Sequence, residues 1–289
     1  MQNKLGVIGG SGLYEIDGLE DVREVEVDTP FGPPSDSLTV GRLGGLEVCF
    51  LPRHGRGHRL LPTELPFRAN LMAMKLLGVD HVLAISAVGS MREDIAPGHL
   101  VVVDQFIDRT RHRPETFFGD GIVGHVHFAD PIWMPLAERV AAAARAAGAV
   151  VHEGGTYLCM EGPQFSTRAE SLLYRSWGVS VIGMTNLQEA KLAREAGIGY
   201  STLALATDWD CWHEEEEDVS VESVLAVIRQ NVVMARRVVA ELVGLLATAP
   251  LAPLENPLEH AILTAPDAIP PEARRRLAAI LPARFRDAP

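Results

Sequence analysis

Leu203-Ala204-Leu205-Ala206-Thr207-Asp208-Trp209-Asp210-Cys211-Trp212 is a small apolar run that ends in two carboxylates one residue apart, interleaved with indoles. The acidic His213-Glu214-Glu215-Glu216-Glu217-Asp218 follows. Such a run predicts a buried strand over 199–207. Extended backbone sends alternate side chains to opposite faces, so extension through Asp210 would put Asp208 and Asp210 on one side and Trp209 on the other. Two acids at the end of a buried strand cost free energy unless something binds them. Strand ends are also where open α/β sheets hold their ligands. Read alone, the pair fits a solvated acidic loop equally well, and the rest of the chain must decide.

Around this strand the pattern alternates. Strand-like segments stand at 5–8, 22–27, 37–40, 46–51, 80–87, 98–106, 150–160 (interrupted by Gly154-Gly155) and 179–184. Helical segments stand at 65–77, closed by Gly78, and at 135–147, 168–177 and 187–196. Met184-Thr185-Asn186 caps the last of these, with Glu189 in a first turn that suits a carboxylate. Residues 108–127 are charged and irregular. A long helix is expected over 221–247 with Ser220 as its N-cap. Its residues Val221, Leu225, Ile228, Val232, Ala235, Val239, Leu242 and Leu246 form one apolar stripe. Buried strands alternating with helices predict an α/β fold with a largely parallel or mixed sheet. Residues 249–289 turn rich in Ala, Pro and Leu, with a short helix expected at 271–281 opened by Pro271. This C-terminal stretch reads as an arm packed on its own body or on a neighbouring subunit, not as an independent domain; 1–248 form the main domain.

The 289 residues are 47% hydrophobic and 22% charged, enough for one large α/β core. No apolar run reaches the roughly 20 residues of a membrane span. The N-terminus runs straight into a strand, with no signal peptide expected. Cys49, Cys159 and Cys211 sit in apolar runs at no metal-ligand spacing and read as buried thiols in a reducing, cytoplasmic setting. A net charge of −12 argues against nucleic acid or an anionic membrane as partner. A small anion stays open, because one local cationic pocket outweighs a distant field.

Gly9-Gly10-Ser11-Gly12, after the first strand, can turn sharply and present backbone N–H groups and the Ser11 hydroxyl to an anion. It is neither a dinucleotide fingerprint nor a P-loop, and an ordinary turn would look the same. Arg53 and His54 follow a strand and precede glycines; a guanidinium fork suits phosphate, and a histidine adds a donor. A solvated basic loop is the plain alternative. Ser86-Ala87-Val88-Gly89-Ser90 is a second strand end rich in hydroxyls and glycine. The histidines follow no zinc spacing, so no metal is expected.

Five motifs in order carry a resemblance: Gly9-Gly10-Ser11-Gly12-Leu13; Arg53-His54-Gly55; Glu161-Gly162-Pro163-Gln164-Phe165 with Arg168-Ala169-Glu170; Met184-Thr185-Asn186 through Glu189; and Thr207-Asp208-Trp209-Asp210-Cys211-Trp212. Together they resemble the trimeric purine nucleoside phosphorylase superfamily, closest to its 5′-deoxy-5′-methylthioadenosine-cleaving branch. The match covers roughly 4–243. The resemblance implies a single-domain fold with a central mixed sheet surrounded by helices, a homotrimer, and no metal or organic cofactor. Inorganic phosphate is then a co-substrate and a nucleoside the substrate, in purine and methionine salvage. It implies that Ser11, Arg53, His54, Ser86, Ala87 and Thr185 hold phosphate. Met184 lies against the ribose, Phe165 and Ser166 line the base, and His125 reaches into a neighbour's site. Asp208 faces the purine N7 and exocyclic nitrogen with Asp210 behind it, as the catalytic pair.

Within that resemblance, Asp208 and Ser166 point to adenine, since the 6-oxopurine branch carries Asn and Glu there. Val221 stands where that branch has a histidine for the 5′-hydroxyl, with Val224 one turn on. An apolar wall favours a methylthio group, because burying an unsatisfied hydroxyl costs about 1–3 kcal/mol. Phosphorolysis of inosine or guanosine, and nucleoside binding without catalysis, are the alternatives. Gln188 departs from a usual proline, as do Ser11 and Ser86 from threonine and Trp209 from tyrosine.

Overall fold

The computed structural model describes residues 4–10, 12–13, 15–213 and 221–286, with the side chains of 221–226, 228 and 229 outside that description. Ser11, Ser220, the acidic run over 214–218 and the Val221 and Val224 side chains therefore lie outside the described residues.

The strands are β1 (Lys4–Gly9), β2 (Glu20–Val25), β3 (Leu38–Leu43), β4 (Leu46–Pro52), β5 (His81–Ser90), β6 (Leu100–Val102), β7 (Gln105–Arg109), β8 (Val151–Glu153), β9 (Thr156–Met160), β10 (Val181–Gly183) and β11 (Gly199–Asp208). The helices are α1 (Phe67–Leu76), α2 (Met134–Ala146), α3 (Arg168–Ser176), α4 (Asn186–Glu195), α5 (Val221–Thr248), α6 (Pro271–Leu277) and α7 (Ala283–Arg286). All strands join one mixed sheet in the order β2-β3-β4-β1-β5-β10-β9-β7, while β11, β6 and β8 continue from the other edge of β5. Helices surround it, α2 and α5 packing on each other and on β11, α1 on α4.

β5 is the pivot of the molecule. One edge pairs parallel with β11 along its length. The other edge pairs parallel with β1 as far as Ala84 and antiparallel with β10 from Gly89. Between those points residues 85–88 have no strand partner on that edge, and the sheet opens into a cavity there. The segment Ser86–Ser90, expected as a strand end, is thus the second half of a ten-residue strand. Two other expected strands are each broken. Residues 98–106 divide into β6 and β7 around Asp104, whose Oδ1 accepts a hydrogen bond from Gly155 N at 3.0 Å. Gly154 and Gly155, at φ +81° and +112°, break 150–160 at the same level. The halves then pair in parallel, β6 with β8 and β7 with β9.

The expected α5 stripe is buried at Ala235, Val239, Leu242 and Leu246, joined by Val238 and Val243. Each fully buried Val or Leu side chain contributes about 1.5–3 kcal/mol, so these residues hold the helix on the core. The C-terminal residues add Leu258, Ile269, Leu277 and Phe285 to the same core as Leu5 and Val7. They also bond the irregular 108–127 segment, with His125 N donating to Ala261 O and Leu263 N to Val123 O, both at 2.9 Å. Among the described residues no helix is long and apolar enough to cross a membrane.

Candidate active site

A cavity of about 690 Å³ occupies the opening beside β5. It brings Arg53, His54, Ser86, Ala87, Met184, Thr185, Phe165, Asp208 and Asp210 to one wall-lined space. Cationic and hydroxyl groups stand at the β1–β4 end and the two acids at the end of β11.

Arg53 follows β4, where Gly9 pairs with Pro52, and its own N–H donates to Gly9 O at 2.8 Å. Its guanidinium is buried and forks onto Glu189, with Nε to Oε1 at 2.5 Å and Nη2 to Oε2 at 3.1 Å. Nη1 donates to Ile85 O at 2.8 Å and Nη2 to Ile8 O at 3.3 Å. Four of the five guanidinium N–H groups are so engaged, leaving one on Nη1. Glu189 is fully buried and also accepts from Tyr200 Oη at 3.1 Å. The sequence suggests only a dipole role for Glu189; its real partner lies 136 residues away, a relationship no local pattern encodes.

His54 differs from expectation in its role. Its Nδ1 lies 2.8 Å from Leu60 O. A carbonyl only accepts, so Nδ1 carries the proton. Burial pushes the imidazole down to about 4, with Arg53 and the stacked His58 ring reinforcing that. At neutral pH His54 is uncharged and offers a bare Nε2, an acceptor rather than a second donor. Ser86 Oγ is buried without a hydrogen-bond partner, and Thr185 heads α4, whose N-terminal dipole end favours an anion.

The acids do not sit as extended backbone would put them. The β5–β11 register shifts between Ala206 and Asp208, just before the last pair, Asp208 with Gly89, and Asp210 turns left-handed at φ +51°. The turn lets Asp210 N donate to Asp208 Oδ1 at 2.8 Å, while Thr207 Oγ1 donates to Oδ2 at 2.7 Å. Burial raises the Asp208 carboxyl against those two donors, and the Asp210 charge adds to the rise. Asp210 is raised by burial too, opposed by Ser171, the Cys211 backbone and Ser166, with Glu170 adding to the rise. Burial, not the neighbouring acid, is the chief cause in both. Gly89 sits opposite Asp208 in the β5–β11 register. A Cβ there would stand 3.0 Å from Asp208 Oδ1, so glycine leaves the carboxylate its place. Trp212 Nε1 donates to Ser90 O at 2.7 Å beneath this turn.

Between the ends lie the side walls. A Cβ at Gly162, φ +67°, would stand 2.5 Å from Met184 Sδ, so only glycine lets that turn lie on the thioether. Arg113, hidden in the irregular segment, ties these walls together. It donates to Met184 O at 2.5 Å, Glu161 O at 2.5 Å, Glu161 Oε1 at 3.1 Å and Gln188 Oε1 at 3.3 Å. Gln188, the departure from proline, donates in turn to Thr110 Oγ1 at 2.8 Å. The sequence gives no sign of Arg113's role; His58, Asn231 and Val232 line the cavity without being expected there, Val232 reading only as part of the α5 stripe. Ser166 is half-buried beside it, its carbonyl 3.4 Å from Cys211 Sγ. His125 is not in this cavity; it lines a separate cleft of about 490 Å³ with Lys191 and Glu195.

Comparison with known proteins bears on this geometry. The profile of the phosphorylase superfamily matches residues 4–244. The S-methyl-5′-thioadenosine phosphorylase of Geobacter sulfurreducens is 58% identical over 97% of this chain and 99% of its own. That of Gloeobacter violaceus is 55% identical over 97% and 95%. Among solved structures, a methylthioadenosine phosphorylase from an antarctic soil metagenomic library superposes with a TM-score of 0.93 at 46% identity, over 97% of this chain and 99% of that one. A mutant adenosine/methylthioadenosine phosphorylase of Schistosoma mansoni, in complex with adenine, gives 0.82 at 39% identity over 86% and 93%.

Proposed function

The chain belongs to the phosphorylase superfamily, and we propose that it cleaves the N-glycosidic bond of 5′-methylthioadenosine with phosphate, giving adenine and 5-methylthioribose 1-phosphate. The observation that carries this is one cavity with an anion-suited end and, at the other, a buried carboxyl whose proton affinity is raised.

In this reading phosphate sits against the free Nη1 N–H of Arg53, the Ser86 hydroxyl, the Ala87 and Thr185 region and Ser11. His54 Nε2 accepts the remaining O–H of hydrogen phosphate. A phosphate oxygen forms the bond to C1′ as the C1′–N9 bond breaks, and the electron pair leaves with the purine. Protonated Asp208 donates to N7 as that charge develops, and in its ionised form accepts from the exocyclic amine. Fixing phosphate below an oxocarbenium-like sugar supplies both proximity and charge stabilisation. Met184 lies against the sugar, Phe165 and Ser166 against the base, and Val221 and Val224 against the methylthio group. Asp210 holds Asp208 through its N–H, a support for this assignment.

The reaction draws on phosphate as co-substrate and, as written, on no metal or organic cofactor. The working form is a homotrimer in the cytoplasm. A His125 remote from its own chain's cavity is consistent with service in a neighbour's, and Cys49 and Cys159 are buried free thiols. Residues 1–248 form the phosphorylase domain and 249–289 an arm of it, which the shared core supports. Steady-state kinetics with methylthioadenosine and inosine test the substrate. The reading expects kcat/KM to favour methylthioadenosine by at least about two orders of magnitude, the scale on which a polar-matched pocket rejects an unpaired analogue. A preference for inosine would move the protein to the 6-oxopurine branch.

A further inference from the structure

Tyr157 lies on β9 in an apolar cluster with Val88, Val103, Val181 and Ala206, fully buried, its ring tilted on Phe106 at 5.4 Å. A phenylalanine would fill the same space. The hydroxyl that distinguishes it makes no hydrogen bond to any described protein group, an expense that buried polar groups rarely carry without a purpose. That hydroxyl points beneath Gly183, where any side chain would collide with the Tyr157 oxygen. Gly183 is itself part of the cavity wall. The Ser86 hydroxyl and the Thr185 backbone both act on the Tyr157 oxygen, opposing the rise that burial gives its hydroxyl. Both belong to the anion end of the cavity. Ser86 Oγ is likewise buried and without a partner. Two buried hydroxyls with no hydrogen bond of their own therefore lie on one side of the cavity wall, close enough to act on each other.

We propose that Tyr157 is a positioning residue for phosphate, donating its proton to Ser86 Oγ and so turning the Ser86 O–H toward the anion. The inference rests on the phosphate site argued above. A serine hydroxyl has one proton and two lone pairs. With one lone pair held by Tyr157, its proton is free for a phosphate oxygen rather than spent on a neighbour. Burial keeps the Tyr157 hydroxyl protonated far above working pH, so it acts only as this donor. Because Tyr157 touches phosphate only through Ser86, its effect vanishes when Ser86 loses its oxygen.

The test is Tyr157→Phe, Ser86→Ala and the double variant, each assayed by varying phosphate at saturating methylthioadenosine and the reverse. Tyr157→Phe raises the KM for phosphate about five- to tenfold, leaves the KM for nucleoside unchanged, and melts no lower than the native protein. The double variant matches Ser86→Ala, since coupled residues are non-additive. An unchanged phosphate KM in Tyr157→Phe or in Ser86→Ala, a parallel rise in both KM values, or multiplied effects in the double variant overturns the proposal. Native turnover that ignores phosphate would instead remove the phosphate site, and the inference with it.

Discussion

The backbone N–H of Asp210 donates to Oδ1 of Asp208 at 2.8 Å, and Asp210 takes a left-handed φ of +51° to reach it. The bond holds the Asp208 carboxyl in one orientation at the end of β11, with Thr207 holding its other oxygen. Asp208→Asn keeps the shape and the Oδ1 acceptor but cannot pass on an acidic proton. Turnover of methylthioadenosine falls by about two orders of magnitude or more, the usual contribution of a general acid, while the melting temperature stays near native. Full activity in this variant would remove Asp208 from the chemistry.

Arg113 bridges Met184, Glu161 and Gln188, so it sets the spacing between the sugar and base walls. Arg113→Met fills a similar volume without the donors. We expect the nucleoside KM to rise roughly tenfold with the phosphate KM little changed, as positioning contacts worth about 1.4 kcal/mol predict. Equal losses in both KM values would assign Arg113 to general stability.

The Arg53–Glu189 pair is almost wholly buried, its side chains 3% and 1% exposed. Glu189→Ala leaves a buried guanidinium without its counter-charge, and chemical denaturation should show a loss of about 3–5 kcal/mol. Millimolar phosphate should recover part of that loss by binding the folded state. A loss under about 1 kcal/mol, the scale of an exposed pair, contradicts the buried geometry.

Glu195 carries a pH dependence of stability. Burial raises its carboxyl from 4.5 to about 7, Glu115 adding to the rise against bonds from Phe117 N and Thr116 Oγ1. The folded state therefore holds the proton more tightly than the unfolded chain. Its contribution is complete below 4.5 and is lost as pH rises through about 7. His54, depressed to about 4, acts in the opposite sense and only as pH falls below its ordinary range. Melting curves of native protein and Glu195→Gln should converge toward acid pH and separate above neutrality, the variant being the more stable. Parallel curves would contradict the buried carboxyl.

What the sequence made legible follows the range of the forces involved. The β11 strand and the C-terminal part of the α5 stripe are written in neighbouring residues, so periodicity and composition find them. The division of 98–106 into β6 and β7 is not, because it depends on Gly154-Gly155 breaking a distant strand at the same level. The left-handed Asp210 is illegible for a similar reason: alternation predicts extension, whereas the β5–β11 register shifts between Ala206 and Asp208, just ahead of it. Arg113 and Glu189 are invisible locally because their partners lie 71 and 136 residues away. Arg53 and His54 read as a cationic pair in the sequence, but only their partners show that one is nearly saturated and the other uncharged.

The central claim is that phosphate, not water, takes the sugar. Methylthioadenosine incubated with the protein in phosphate-free buffer and in millimolar phosphate, followed by adenine absorbance and phosphorus NMR, tests it directly. The account predicts adenine only when phosphate is present, with one sugar 1-phosphate formed for each adenine. Equal adenine release without phosphate, or release with no phosphate ester, would contradict it.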